Sequence, residues 1–417
     1  MAIFNDHTAA IHLKILKQCG FYQVFDSNSK KIFGWNIYKL SFIVLTVITQ
    51  CLIVFGNCGF LFELEDTINN VDLFLIIFSD SFNYLNLWKI IILLFNKNNV
   101  LDLLDVTYLN FFKSKQCHNN VEILYKHRNR VLQYTKLYYN FCILVIILWV
   151  FYPIVINSFI ANSNDNRRLE NIINRRYPMT VNTYNQYYVL FYIIETIIAI
   201  KSLYLVLMID ILLLSIGWAI TVQYEVLAAA FKNIGHDVNL QKDHDYNLKY
   251  FKSILFDQQQ LDLKLKLYFS IVKPIVLMHV AISSGLIIML SNSFSMVLLS
   301  TESFAITMVN LFKIGIGIFY LCLQLFLHCH LFDHINSKRE SVNLGIYSCN
   351  WTKMDLVFEK LLLLTVHVND ANQIKIKAST KKIVNLQLFA NVLMTSYNII
   401  SVMVKTISKL NDTSDNN

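Results

Sequence analysis

Proline is almost missing from this chain, with 3 in 417 residues, and glycine is sparse at 10. Short strands joined by tight turns need more of both, so the scarcity argues against a barrel or sandwich and leaves long, unbroken helices. Charge is scarce too, at 15% of residues against 55% hydrophobic, and the mean hydropathy is +0.45. Soluble globular domains carry more charge, whereas multi-span membrane proteins have this balance. The 8 cysteines are scattered and include no CxxC. A disulfide framework is therefore not expected, and most are read as small buried apolar residues. GxGxxG, the P-loop, HExxH and GxSxG are all absent, so neither an enzyme nor a cofactor is expected. The net charge of +8 raises nucleic acid as a partner, but its placement along the chain favours membrane orientation instead.

What is present in quantity is apolar sequence of membrane-spanning length. Seven runs of about 20 or more residues fit a hydrocarbon core ~30 Å thick: 36–60, 71–96, 137–160, 186–221, 268–292, 303–332 and 383–406. Polar "HCHLFDHINSKRES" after the sixth is read as a return to water. Residues 341–370 read as an amphipathic helix, broken by Lys353, Asp355, Glu359 and Lys360. With the N-terminus inside, the inner segments carry 25 Lys and Arg and the outer segments 5. That bias predicts a cytosolic N-terminus and an extracellular C-terminus. Four arginines in the outer loop "NDNRRLENIINRR" (164–176) run against it. The expected fold is thus an all-α membrane protein with seven transmembrane helices and a helical cytosolic base. It divides into a six-span bundle with cytosolic helical extensions (1–332), a cytosolic amphipathic segment (333–382), and a last span with its extracellular tail (383–417). The first apolar run begins near residue 32, behind a stretch too long and mixed for a signal peptide, and "NDTSDNN" lacks a lipidation box, so the spans themselves are expected to insert the chain.

Two local motifs are weak. His330 and His334 in "HCHLFDH" lie at i, i+4 and could chelate a metal, but polar tips at a membrane boundary are the better reading, and no metal site is expected. "NWT" (350–352) falls on the cytosolic side and "NDT" (411–413) near the chain end, so neither sequon carries weight.

The last 90 residues are more specific. Tyr347 and Trp351 lie four apart in "ESVNLGIYSCNW", "QIKIKAS" follows with Gln373 and Ala378, and the last span carries Leu386, Phe389, Ser396 and Tyr397. This series resembles the C-terminal signature of the insect odorant receptors. Departures are Ile374 where a Pro is common, Ser379 where Gly is frequent, Gly345 where Ala is usual, and Cys329-His330 in place of Cys-Tyr. The resemblance implies an odorant-gated, non-selective cation channel. Family members form tetramers in the plasma membrane of olfactory neuron dendrites, and tuning subunits pair with a shared co-receptor. The last span lines the pore and the cytosolic helices anchor subunit to subunit. The short 223–266 loop fits a tuning subunit, because the co-receptor's loop is longer. The resemblance also places Val402 and Thr406 at the narrow part of the pore and Tyr347 and Trp351 on the subunit anchor. A gustatory-type homomeric channel is one alternative. A membrane transporter is another, although no inverted repeat or pair of broken helices supports it.

A volatile ligand calls for an apolar, aromatic cavity with few polar groups. Helical spacing nominates Asp80, Asn83 and Tyr84 on the second span, and Trp149 and Tyr152, with Ile156, on the third. It nominates Tyr188, Phe191, Tyr192 and Glu195 on the fourth, His279, with Ser283, on the fifth, and Asn310 and Lys313 on the sixth. Ordinary packing or an interfacial aromatic belt is the competing reading for each aromatic. Asp80, Glu195 and Lys313 fall at one depth of the membrane, so Lys313 is expected to pair with Glu195 or Asp80.

Overall fold

The structure is a computed structural model; it describes residues 13–25, 29–32, 35–62, 70–161, 168–236, 244–298, 304–372, 375–377 and 383–414. Gln373, Ala378 and Ser379 of the C-terminal signature, and the side chain of Thr406, lie outside what is described.

Two short helices, α1 (Leu13–Gln18) and α2 (Phe21–Phe25), lead into a two-residue hairpin, β1 (Lys31–Ile32) and β2 (Trp35–Asn36). The long helices follow: α3 (Ile37–Phe62) and α4 (Asn70–Phe95), then short α5 (Lys97–Leu103) and α6 (Lys115–Asn119), then α7 (Val121–Ala161). Short α8 (Val181–Gln186) precedes α9 (Tyr188–Lys232), α10 (His244–Leu298) and α11 (Phe304–Tyr347). The chain closes with α12 (Leu356–Ala371) and α13 (Leu386–Ser414). The protein is a helical bundle, and its tiny hairpin makes no sheet that the core rests on.

Five of these helices contain stretches long and apolar enough to cross a membrane: α3, α7, α9, α10 and α11. Among the described residues, α4 and α13 fall short of that mark. In α4 the shortfall comes from Asp80, Asn83, Asn86 and Lys89, and its Asn83, Asn86 and Lys89 are buried in the protein. A span can carry such residues when they turn toward other helices instead of lipid.

α9 is the hub. In its most apolar stretch 67% of residues are buried, against 11% in α3, so α9 is surrounded by protein and α3 is peripheral. α11 is its main partner, and α4, α7 and α10 complete the surround. The crossing of α9 and α11 is close because Gly345 has no side chain; a Cβ there would lie 2.4 Å from the backbone oxygen of Ala228.

The single amphipathic helix expected over 341–370 is corrected here, because α12 begins only at Leu356, while α11 continues unbroken to Tyr347. Its inward residues keep helical spacing through the polar stretch, with Leu331, Phe332, Ile335, Val342 and Ile346 all buried. Tyr347 and Trp351 therefore do not share one helix. Tyr347 ends α11 and is exposed, and half-buried Trp351 opens a 3₁₀ turn. The chain breaks between them where Asn350 docks on the end of α9, its N–H donating to the Ile234 carbonyl (3.1 Å) and its amide to the Gly235 carbonyl (3.0 Å). Gly235 sits at φ +75°, which a side chain would strain.

Candidate ligand cavity and its polar surroundings

A cavity of about 80 Å³ lies between α4, α7, α9 and α11. Phe78, Phe82, Val145, Ile146, Ile198 and Leu203 give it an apolar surface. Its polar wall groups are few: Ser79, Asn83, Trp149, Ser202 and Tyr320. Asn83 and Ser202 occupy each other, since the Ser202 hydroxyl contacts Asn83 Oδ1 and the Ile198 carbonyl while the Asn83 amide donates to the Ser79 carbonyl at 2.9 Å. Phe78 packs against Trp149 (5.8 Å between centroids) and Phe82 against Tyr320 (6.0 Å), which fixes the rings around the space.

One wall residue, Ile173, comes from the segment before α8 that carries the discordant arginines. This segment folds into the bundle. Asn171, Ile172 and Arg175 are 0% exposed. Non-helical backbone at this depth needs partners for its N–H groups. Glu195 of α9 supplies them, accepting from the backbone N–H of Ile173 (2.7 Å) and Arg175 (3.2 Å). Arg175 then reaches α4, with Nη2 donating to Asp80 Oδ1 at 2.6 Å and Nη1 to Asn57 Oδ1 at 2.7 Å. Asn57 closes the ring by donating to Asp80 Oδ2 at 2.5 Å. Asn174 takes the left-handed φ of 59° that the turn requires and accepts from the Asn171 N–H. Burial is the main cause, and Glu195's charge the next, of an upward shift in the Tyr177 phenol, so it stays a neutral donor beside Glu195.

The expected pairing of Lys313 with Glu195 or Asp80 is therefore replaced. Asp80 is paired with Arg175, and Glu195 caps the inserted segment. Lys313 lies over the Tyr152 ring at 4.0 Å and nearer the edge of reach from Trp149 at 5.8 Å. The Tyr152 hydroxyl donates to Asn310 at 2.6 Å, so Tyr152, Asn310 and Lys313 form a separate α7–α11 group. The three charges in apolar runs were legible; the entry of a fourth, Arg175, from a segment read as an outer loop was not.

Of the other nominated residues, Asn83 and Trp149 line the cavity. Phe191 stacks in an aromatic cluster with Tyr177 and Tyr184 (4.3 and 5.3 Å). Tyr188 is bonded to Asn157 (2.9 Å), and Tyr192 donates to the Val150 carbonyl (2.8 Å), so these two hydroxyls tie α9 to α7. Tyr84 is exposed, on the opposite side of α4 from the buried polar face. His279 is fully buried away from the cavity, 4.9 Å from the His328 ring. Val402 is exposed on α13. His330 and His334 stack on each other and on Trp218, and the described residues contain no group of three ligands arranged for a metal.

His279 and His328 belong to a polar centre that the spacing arguments missed. Asp210 of α9, 0% exposed, receives Lys89 of α4 at 3.1 Å. Tyr138 of α7 donates to it at 3.3 Å, Gln324 of α11 at 2.5 Å, and His328 approaches to 3.6 Å. The signal was present as an acid in "LVLMIDILLL" and a base in "LWKIII", two opposite charges in apolar runs that could shed their cost only by meeting.

Comparison with known proteins agrees with this architecture. The family model described as 7tm Odorant receptor matches residues 69–397. The solved insect olfactory receptor OR5 from Machilis hrabei superposes with a TM-score of 0.71 at 15% identity, covering 95% of this chain and 99% of that one. The same receptor in complex with eugenol gives 0.72 at 15% identity, covering 94% and 98%. No curated protein matches the sequence. With its family model spanning most of its length, the chain belongs to the 7tm odorant receptor family.

Proposed function

We propose that this chain is the tuning subunit of an odorant-gated, non-selective cation channel of the plasma membrane. A small volatile apolar ligand binds in the cavity between α4, α7, α9 and α11, and a pore opens in a tetramer shared with co-receptor subunits. The observation that carries the reading is the cavity itself, apolar, ringed by aromatic side chains and provided with few polar groups. The similar receptor whose solved complex contains eugenol supports it. α13, with Val402 and Thr406, is the pore-lining span of this proposal. The region after 332, with Tyr347 and Trp351, is its cytosolic subunit anchor.

The test is electrical. Cells expressing this chain with an odorant receptor co-receptor are exposed to a panel of volatiles, and current is recorded. At least one volatile evokes current with both subunits, and none does with this chain alone. Ala199→Leu, which puts bulk into the cavity wall, lowers the response while surface labelling is unchanged. Odorant currents from this chain alone would sink the tuning-subunit reading, and an unchanged response in Ala199→Leu would remove the ligand from this cavity.

A further inference from the structure

α7 is 41 residues long, about twice what crossing a membrane requires. In its apolar part Leu144, Ile147 and Phe151 stand exposed at helical spacing. An exposed apolar face on a helix of membrane-crossing length is the face that meets lipid. At ~100° per residue the same face, followed back toward the start of the helix, carries Asn140, Leu137, Lys136, Gln133, Arg130 and Lys126, all exposed. The other side is taken up by the bundle: Leu124 and Tyr138 are buried, and His127 meets Glu225 of α9 at 3.4 Å. The lipid-facing stripe therefore runs without interruption into a cationic one. No acidic residue lies between Glu122 and Asn140, and Glu122 is at the end of α7 farthest from its apolar part. Among the described residues, the ion pairs of this region use His127, Lys264 and Lys338 and leave Lys126, Arg130 and Lys136 out. Tyr134 is 66% exposed and Leu137 68%, both among these cations. Large apolar and aromatic groups interleaved with Lys and Arg belong to a surface at headgroup level, because water alone would leave them unsheltered.

We propose that the inner extension of α7 is a docking surface for a phosphoinositide of the cytosolic leaflet, with Lys136, Arg130 and Lys126 on its phosphates and Tyr134 and Leu137 against its glycerol and upper acyl chains. The inference rests on the orientation of the proposed channel, with 97–136 inside. The sign of the charge selects an anionic lipid, and depth selects among anionic lipids. Lys136 borders the apolar run, and along the helix Arg130 lies ~9 Å and Lys126 ~15 Å further in. A headgroup layer is only about 5–8 Å thick, so a serine headgroup meets Lys136 alone. The phosphates of an inositol headgroup stand clear of that layer; they come within reach of Arg130 and bring Lys126 inside a Debye length. Each such cation contributes roughly fivefold in affinity, so the three together contribute on the order of a hundredfold.

The experiment titrates the full-length protein, purified in a neutral detergent, with a fluorescent dioctanoyl phosphatidylinositol bisphosphate and follows anisotropy. Wild type binds, and the affinity falls as salt is raised. Lys126→Gln, Arg130→Gln and Lys136→Gln together weaken binding about a hundredfold without moving Tm, because all three side chains are exposed. Lys126→Arg with Lys136→Arg keeps it. Lys249→Gln, Lys252→Gln and Lys360→Gln together remove the same charge from exposed positions of α10 and α12 and leave binding intact. If this second triple variant weakens binding as much as the first, the attraction is to net charge and the inference is overturned. Competition by phosphatidylserine or by free inositol trisphosphate as strong as by the unlabelled lipid overturns the choice of occupant. An epitope at residue 241 that stains intact cells removes the orientation and the inference with it. If that epitope stays hidden and the first triple variant binds like wild type, this inference alone falls and the channel reading stands.

Discussion

Asp80 occupies a position where an unpaired carboxylate would be costly, and its guanidinium partner arrives from a segment 95 residues further along the chain. The two partners are unequal. Arg175 is 0% exposed, whereas the Asp80 side chain is 15% exposed and keeps some access to solvation that Arg175 lacks. Removing the acid should therefore cost more than removing the base. Asp80→Asn strands a buried cation, at a cost on the order of 3–5 kcal/mol for a broken buried pair. Arg175→Gln costs less, and Asp80→Asn with Arg175→Gln together recovers part of the loss. Thermal melting of the purified protein in detergent checks this: the expected Tm order is wild type, Arg175→Gln, then Asp80→Asn, with a non-additive double variant. Strictly additive losses would mean that the two charges act independently. A lone acid in an apolar run was readable from sequence. Its partner was not, because the arginine lies in a loop with no periodicity to say that it turns inward.

Whole helices were the most legible feature of the sequence, and their ends the least. Each of the seven apolar runs lies in one long helix apart from at most three residues at its edge, and α7 and α10 run on beyond theirs as the expected helical cytosolic base requires, whereas the sixth run's polar continuation concealed 15 further residues of the same helix, from 333 to 347. Polar side chains on one face do not stop a helix; loss of the buried stripe does. α11 stops where its chain meets α9, and the same crossing explains the small residue at 345. A methyl at Gly345 would fall 2.4 Å from the Ala228 oxygen and 2.9 Å from its Cα, both backbone atoms that cannot swing aside. Gly345→Ala should therefore push α9 and α11 apart and cost about 1–3 kcal/mol. Gly285 is the internal control, since a Cβ there meets nothing within 4 Å. Gly285→Ala should stabilise its helix by roughly 0.5–1 kcal/mol through propensity alone. Opposite Tm shifts for the two Gly→Ala variants are the expected result; a neutral Gly345→Ala would mean that the helices do not meet as closely as this.

At the scale of the whole molecule, the distribution of basic residues predicts the orientation, and the inserted arginine segment alters how it should be counted. The positive-inside bias concerns charges left near the membrane surface during insertion, and 4 of the 5 basic residues on the minority side are the arginines at 167, 168, 175 and 176. Arg175 ends fully buried against Asp80, and Arg168 lies 4.0 Å over the Tyr184 ring with its Nη2 on the Arg175 carbonyl. At least two of the discordant charges are thus spent inside the fold, so the segment presents fewer cations than its sequence suggests and the contrast with the 25 expected on the other side widens. We therefore expect residues 97–136 and 223–266 to face the cytosol, and the end of α13 to face outward. An epitope inserted at residue 241 should stain only after cells are permeabilised, whereas the same epitope appended after residue 417 should stain intact cells. The paired insertions control for expression, because each serves as the other's positive signal under one of the two conditions. Staining of the 241 epitope on intact cells, with loss of the C-terminal signal, would invert the molecule and place the arginine segment and the cavity it closes on the cytosolic side.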